Sequence, residues 1–237
     1  METADEMNMN GATLPNDTTS PSDADTRPTP EFGKEFWEHH WAQGRSSSPA
    51  AGAAAASLPH PYLARETVAL TPGDALDAGC GTGAEALWLA EAGWRVTAAD
   101  ISPTALAQAA ARTASMPAAG RVSWVEADLT VWEPGRRFGL VVTSYAHPAM
   151  PALAFFARIA RWVDLGGTLL IVAHRQEGAA HGVSPAGATV TRAEIIAVLE
   201  PLRWRIEAAV EETRTLPGHA GGAHHLDDVV VRATRLG

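Results

Sequence analysis

The chain has 237 residues, 46% of them hydrophobic and 19% charged, with a formal net charge of -9. That composition is globular, and its acidic balance disfavours a phosphate backbone, so no nucleic-acid partner is expected. Cys80 is the sole cysteine, which excludes an intrachain disulfide. No apolar run reaches the roughly 20 residues that span a bilayer, and the acidic start has no signal-peptide core. These features lead to the expectation of a cytoplasmic protein with no membrane partner.

Residues 1–30 hold Glu2, Asp5, Glu6, Asp17, Asp23 and Asp25 against Arg27. They are polar and aperiodic, so this segment reads as a disordered acidic tail. In "PEFGKEFWEHHWAQGR", Phe32, Phe36, Trp37 and Trp41 fall at helical spacing, an amphipathic helix. A Ser/Ala-rich connector follows, and residues 45–57 beside the aromatic helix suggest a lid. Residues 31–57 are therefore a cap and lid, and residues 58–237 the main domain.

That domain opens with a helix, "HPYLARETVAL", ended by the turn at Pro72-Gly73. Then "DALDAG" predicts a strand, "AEALWLAEAG" a helix stopped near Gly93, and "WRVTAAD" a strand. "SPTALAQAAARTA" starts a helix strongly, with Ser102 at N-cap and Pro103 at N1. "RVSWVEAD" and "FGLVVTSY" are strands. "MPALAFFARIARWV" predicts a helix running to Gly166-Gly167, followed by the apolar strand "GTLLIVAH". "TRAEIIAVLEP" has a capping box, Thr191 with Glu194. "WRIEAAVEETRTL" and "DDVVVRATRL", joined by "PGHAGGAHH", form a strand hairpin. The alternation implies an α/β fold, a doubly wound and mainly parallel seven-stranded sheet with a C-terminal antiparallel hairpin.

The chemistry concentrates on "ALDAGCGTGAEALWLAEAGWRVTAAD", Ala75 to Asp100. Gly79, Gly81 and Gly83 let backbone approach a ligand at the end of the first strand and tolerate φ > 0. The next helix presents its amides to the same crevice. As G-x-G-x-x-A the turn fits a dinucleotide; as D-x-G-x-G-x-G from Asp77 it fits adenosylmethionine. Asp100, ending the second strand, suits the ribose hydroxyls of either. Cys80 sits where the turn needs a small residue and is read as packing. His219, His224 and His225 with Asp227 and Asp228 match no metal-ligand spacing, so no metal is expected.

The ordered set Asp77-x-Gly79-x-Gly81-x-Gly83, Asp100-Ile101, Ala127-Asp128-Leu129, "FGLVVTSYAHP", "LGGTLLIVAH" and the terminal hairpin resembles the class I S-adenosylmethionine-dependent methyltransferases. The resemblance covers about residues 31–235 and implies the Rossmann-like methyltransferase fold with S-adenosyl-L-methionine as cofactor. It implies that Asp77 anchors the methionine ammonium and that Gly79, Cys80, Gly81 and Gly83 pass beside the methionine and ribose. It further implies that Asp100 holds the ribose, Ile101 packs on the adenine, and Asp128 and the Leu129 amide take adenine's edge. Ser144 and Tyr145 then border the methionyl group and the substrate.

The W-x-x-x-W helix is similar to the cap segment of thiopurine- and tellurite-type small-molecule methyltransferases. Trp37 and Trp41 would cover the cofactor, where an aromatic face attracts a sulfonium by about 0.5–2 kcal/mol; docking of the helix on the core accounts for them equally. His147, in the loop after the fourth strand, is a candidate general base, and Tyr145, His147 and His174 are candidate substrate contacts. The loop "SYAHP" lacks the Asn/Asp-Pro-Pro-aromatic turn of base-amine methylation, so the expected acceptor is a small molecule offering oxygen, sulfur or another soft atom. A catalytically silent binder of the cofactor and an NAD(P)-dependent oxidoreductase are the alternatives. The oligomeric state stays open.

Overall fold

A computed structural model of the protein describes residues 32–43, 58–175, 189–199, 203–217 and 223–237. The expected acidic tail and the 45–57 lid lie outside these described residues. Helix α1 (Lys34–Ala42) precedes α2 (Pro61–Thr67), and the alternating part then runs β1 (Asp74–Ala78), α3 (Ala84–Glu91), β2 (Arg95–Asp100) and α4 (Pro103–Thr113). A 3-10 turn, Ala119–Arg121, leads into β3 (Val122–Glu126), followed by β4 (Phe138–Ser144), α5 (Ala152–Ala160) and β5 (Val163–His174). Helix α6 (Arg192–Val198), β6 (Trp204–Pro217) and β7 (Ala223–Arg235) complete the order.

The seven strands form one sheet in the order β3-β2-β1-β4-β5-β7-β6. The first five are mutually parallel, and β7 lies antiparallel between β5 and β6. The expected doubly wound sheet with a terminal antiparallel hairpin is therefore observed. Strand alternation builds a core on each face. Val141, Leu169, Ile171, Val229 and Val231 point to the side covered by α5, with Phe155 and Ile159, and by α6, with Ile195. Leu140, Val142, Leu170, Val172 and Val230 point to the side of α2 and α3, meeting Leu63 and Leu89. Because neighbouring residues bury on opposite faces, these central strands read as continuous apolar runs.

Helix starts follow the expected chemistry. The Ser102 hydroxyl accepts from the Ala105 amide at 3.1 Å, and Thr191 with Glu194 forms the reciprocal capping box. Two helix ends differ from expectation. Helix α2 stops at Thr67, well before Pro72-Gly73. Helix α5 stops at Ala160, because Val163 already pairs with Phe138 and the Phe138 amide binds the Trp162 carbonyl at 2.9 Å. Gly166-Gly167 thus lies inside β5, at the register shift where Phe138 pairs with Val163 but Leu140 with Thr168. Gly166 has φ 74, and a Cβ on Gly167 would stand 3.0 Å from two carbonyl oxygens. The glycine pair serves a bulge, not a helix stop.

Crossovers on both faces place the ends of β1, β2, β4 and β5 on one edge, where ligands bind in open α/β sheets. Gly83 joins β1 to α3 as a left-handed N-cap (φ 77), and a Cβ there would collide with the Trp124 indole. Gly83→Ala is therefore expected to cost about 2 kcal/mol or more of unfolding free energy, read as a lowered urea midpoint with unchanged slope; an unaltered midpoint would contradict this packing.

Candidate functional site

Strand β1 ends at Ala78 and the chain turns through Gly79, Gly81 and Gly83 with φ of 85, 50 and 77. The turn is fastened to the end of β2. The amides of Gly79 and Cys80 donate to the Ala99 carbonyl at 2.9 and 3.1 Å, and the Gly81 amide donates to Asp100 Oδ2 at 2.8 Å. The Ser102 amide donates to Asp100 Oδ1 at 2.9 Å. Asp100 is thus oriented by backbone from both sides, while burial lifts its carboxyl above the ordinary range.

Over this turn opens a cavity of about 380 Å³. Its wall includes Gly79, Cys80, Gly81 and Asp100, then Ile101, Asp128 and Leu129 from the ends of β2 and β3. Ser144, Tyr145 and His147 after β4, His174 at the end of β5, and Trp37 and Trp41 of α1 also line it. The structure therefore brings these sequence-selected residues to one space. Two others stand behind the wall. Gly83 shapes the turn, and Asp77 lies beneath it, 1% exposed. No described group bonds Asp77 Oδ2. Burial, then the neighbouring Glu85 and Asp100, push the Asp77 carboxyl well above the usual carboxylate range.

Glu85 was not singled out in the sequence, though it occupies the first turn of α3 directly after the glycines. It lines the cavity and accepts from the His60 amide at 3.2 Å; its carboxyl is also raised, first by burial. Asp77, Glu85 and Asp100 thus gather three buried carboxyls at the turn, each raised by burial, with Arg112 the cation that acts on Glu85. Asp128 is exposed, and its Oδ1 accepts from the Thr130 amide at 2.9 Å and hydroxyl at 2.6 Å. Cys80 is buried, and burial with Asp77 and Asp100 nearby pushes its thiol well up. It remains un-ionised, which fits packing and disfavours nucleophilic use.

Helix α1 roofs the cavity. Trp41 stacks its indole on the turn so closely that a Cβ at Gly81 would stand 3.0 Å from the ring. The Trp37 indole N–H donates to the His147 carbonyl at 3.2 Å. Glu38 accepts from the Thr104 amide at 3.2 Å, the Thr104 hydroxyl at 2.7 Å and the Ser102 hydroxyl, so it caps α4 from outside. Lys34 pairs with Glu126 at the end of β3. Both tryptophans therefore dock the helix and line the cavity at once.

The opposite end of the cavity is aromatic and imidazole-rich. His147 lies between Phe32 (5.7 Å between ring centroids) and His174 (5.8 Å), and His174 lies 4.7 Å from Tyr145. Tyr145 is held at φ 54, a left-handed conformation rare outside glycine. Burial, then His174, lowers His147 to about 4, and burial also lowers His174. At neutral pH both rings are uncharged, and His147 is a weak base.

His60, Arg214 and Phe32 also line the cavity. His60 starts α2, and its Nδ1 accepts from the Leu63 amide at 3.2 Å. Its proton therefore sits on Nε2, which donates to Ser144 Oγ at 2.9 Å. Pro61 after it was the available signal for that cap. Arg214 lies on β6 and carried no local signal, since only the sheet order brings β6 near β4. Among the described residues no three metal-ligating side chains stand together. His225 pairs instead with the Thr215 hydroxyl at 3.1 Å, and His219 falls outside those residues.

Residues 75–167 match a family model described as a methyltransferase domain. Over 107 residues, 44% of this chain and 45% of the relative, the sequence is 32% identical to a probable thiol methyltransferase 2 of Arabidopsis thaliana. Over 104 residues, 41% of this chain and 38% of the relative, it is 34% identical to a trans-aconitate 2-methyltransferase of Streptomyces avermitilis. The matches thus span less than half the length of these curated relatives. One similar solved structure, from work on converting a disulfide bond into a thioacetal group during echinomycin biosynthesis, has a TM-score of 0.63 at 24% identity. That match covers 86% of this chain and 92% of the other. TehB from Haemophilus influenzae has a TM-score of 0.62 at 16% identity, over 84% of this chain and 67% of that one. These two structures speak to the fold, and the family model and the curated relatives to the sequence. Residues 75–167 thus resemble a methyltransferase domain in sequence, and the chain shares its fold with these solved structures.

Proposed function

We propose that this chain binds S-adenosylmethionine in the cavity and transfers its methyl group to a small-molecule acceptor. The observation that carries the reading is the set of buried carboxyls at the glycine turn, Asp77, Glu85 and Asp100, with Asp77 Oδ2 buried and unbonded. A cationic ligand satisfies that set, whereas the pyrophosphate of a dinucleotide would add negative charge to it. In this reading Asp77 serves the ammonium and Asp100 the ribose hydroxyls. Ile101 packs on adenine, Asp128 and the Leu129 amide meet its edge, and Trp37 and Trp41 cover the sulfonium side.

The cofactor, when bound, supplies a methyl group already electrophilic on its sulfonium. The protein's work is alignment and exclusion of water for in-line displacement. The α1 roof and the aromatic wall of Phe32, Tyr145, His147 and His174 suit that work. The two curated relatives are named for a thiol and for trans-aconitate, which supports a small acceptor here.

The reading is checked by thermal shift and turnover. S-adenosylhomocysteine is expected to raise the melting temperature by several degrees, with NAD(P) producing no shift, and labelled methyl should reach members of a small-acceptor panel. Stabilisation by NAD(P) alone would overturn it, and cofactor binding without any transfer would leave a silent binder.

Asp77→Asn separates the two roles of that carboxyl. A carboxyl raised in the folded state holds its proton more tightly than in the unfolded chain. Its stability contribution is full below the ordinary carboxylate value and is lost as pH rises through the folded value. The variant is therefore expected to melt higher than the wild type at neutral pH, yet to bind S-adenosylhomocysteine about 10- to 100-fold more weakly, the scale of a hydrogen bond to a charged group. Calorimetry and scanning fluorimetry read both, and unchanged affinity would remove Asp77 from the ammonium site.

A further inference from the structure

The cavity is electrically divided. Its lining acids, Glu85, Asp100 and Asp128, come from the first turn of α3 and the ends of β2 and β3, toward the glycine turn. Its other end has Arg214, with Ser144, Tyr145, His147 and His174, and no lining carboxylate. Arg214 reaches in from β6. Its Nε donates to Asp228 Oδ2 at 2.6 Å and its Nη2 to the Tyr145 hydroxyl at 2.7 Å. The guanidinium also stands 5.5 Å from the Tyr62 ring centroid and 5.9 Å from that of Tyr145. Asp228 is fully buried, does not line the cavity, and accepts the Tyr62 hydroxyl at 3.0 Å. The fork is thus held rigidly from β7, α2 and the end of β4, and among the described residues no hydrogen bond occupies Nη1.

The charged and titratable groups facing this guanidinium are Asp228, Tyr62, Tyr145, His60 and His174, with Glu212 beyond Tyr62. The imidazoles of His60, His147 and His174 are uncharged at neutral pH, since burial lowers His60 to about 3 and His147 to about 4 and also lowers His174. A base that weak is poorly matched to taking a proton from an alcohol or amine. A preorganised cation with an open N–H is well matched to an anion.

Building on the methyl-transfer reading, we propose that the acceptor enters already ionised, with a thiolate or carboxylate as accepting group, and that Arg214 is its receptor. Asp228 and Tyr145 are positioning residues that fix the guanidinium. The anion's lone pair forms the new bond to the methyl carbon as the carbon–sulfur bond breaks. That bond's electron pair stays on sulfur, converting sulfonium to thioether. One positive and one negative charge cancel, and no proton moves.

The test uses the full chain, S-adenosylmethionine and two probe series, substituted thiophenols of graded acidity and simple benzoates. For the thiols, kcat/KM is expected to rise with pH and level off at each thiol's own pKa, so the midpoint travels with the acceptor. A methylated benzoate series would show no such rise across the neutral range. Turnover of thiols alone, of benzoates alone, or of both identifies the accepting group, and each supports the anion receptor.

Arg214→Lys keeps the charge but loses the fork, and about a tenfold fall in kcat/KM is expected with S-adenosylhomocysteine affinity within about twofold. Arg214→Gln with Asp228→Asn, which avoids stranding a buried carboxylate, should lower it about 100-fold. One pH midpoint shared by all acceptors and moved by His147→Gln would overturn the proposal, as would turnover of neutral amines only. Failure of both series with S-adenosylhomocysteine binding intact also overturns it, whereas loss of that binding in the wild-type chain would instead fail the methyl-transfer reading.

Discussion

Asp77, Glu85 and Asp100 crowd the point where β1 hands the chain to α3, and the burial of three carboxyls there is the constraint around which the site is arranged. Each carboxyl is raised first by burial, and the charges of Glu85 and Asp100 raise Asp77 further. A structural role alone would favour apolar residues or paired charges at such a place. The chain instead keeps an acid beneath a glycine turn whose left-handed residues leave no Cβ between backbone and cavity. On the proposed reading, the unbonded oxygen of Asp77 and the two amides that aim Asp100 both serve a cationic, hydroxyl-bearing ligand.

The rest of the cavity follows from that starting point. Helix α1 roofs the turn because Glu38 caps α4 from outside and Trp41 packs closely on Gly81. At the far end, β7 lies between β5 and β6 and brings Asp228 and Arg214 toward the ends of β4 and β5. The terminal hairpin therefore extends the sheet and also supplies the cation opposite the acids. On the proposed reading the two ends divide the labour, acids for the cationic donor and Arg214 for the anionic acceptor. Displacement then brings together charges that the protein has held apart.

Much of this was legible in the sequence because its signals are local. Gly79, Gly81 and Gly83 between a strand and a helix, Ser102-Pro103 and Thr191 with Glu194 each encode their own turn or cap. The apolar runs of β4 and β5 announce a sheet covered on both faces. Gly166-Gly167 misled because a glycine pair after a helix reads as a stop, whereas strand pairing at Val163 ends α5 earlier. Arg214 and His60 went unseen for a different reason. Their roles depend on neighbours 69 and 84 residues distant, Tyr145 and Ser144, which only the sheet order brings together. Glu85 was hidden by an ordinary preference, since an acid in the first turn of a helix is explained by the dipole alone.

The central claim is that the buried acids at the turn bind a cationic cofactor. It is tested most directly by titrating S-adenosylhomocysteine into the protein calorimetrically, at mildly acidic pH, in buffers of different ionisation enthalpy. The account predicts tight binding with net proton release, as the ammonium stabilises the ionised form of Asp77, and loss of that release in Asp77→Asn. Binding with no proton exchange, or with proton uptake, would contradict it.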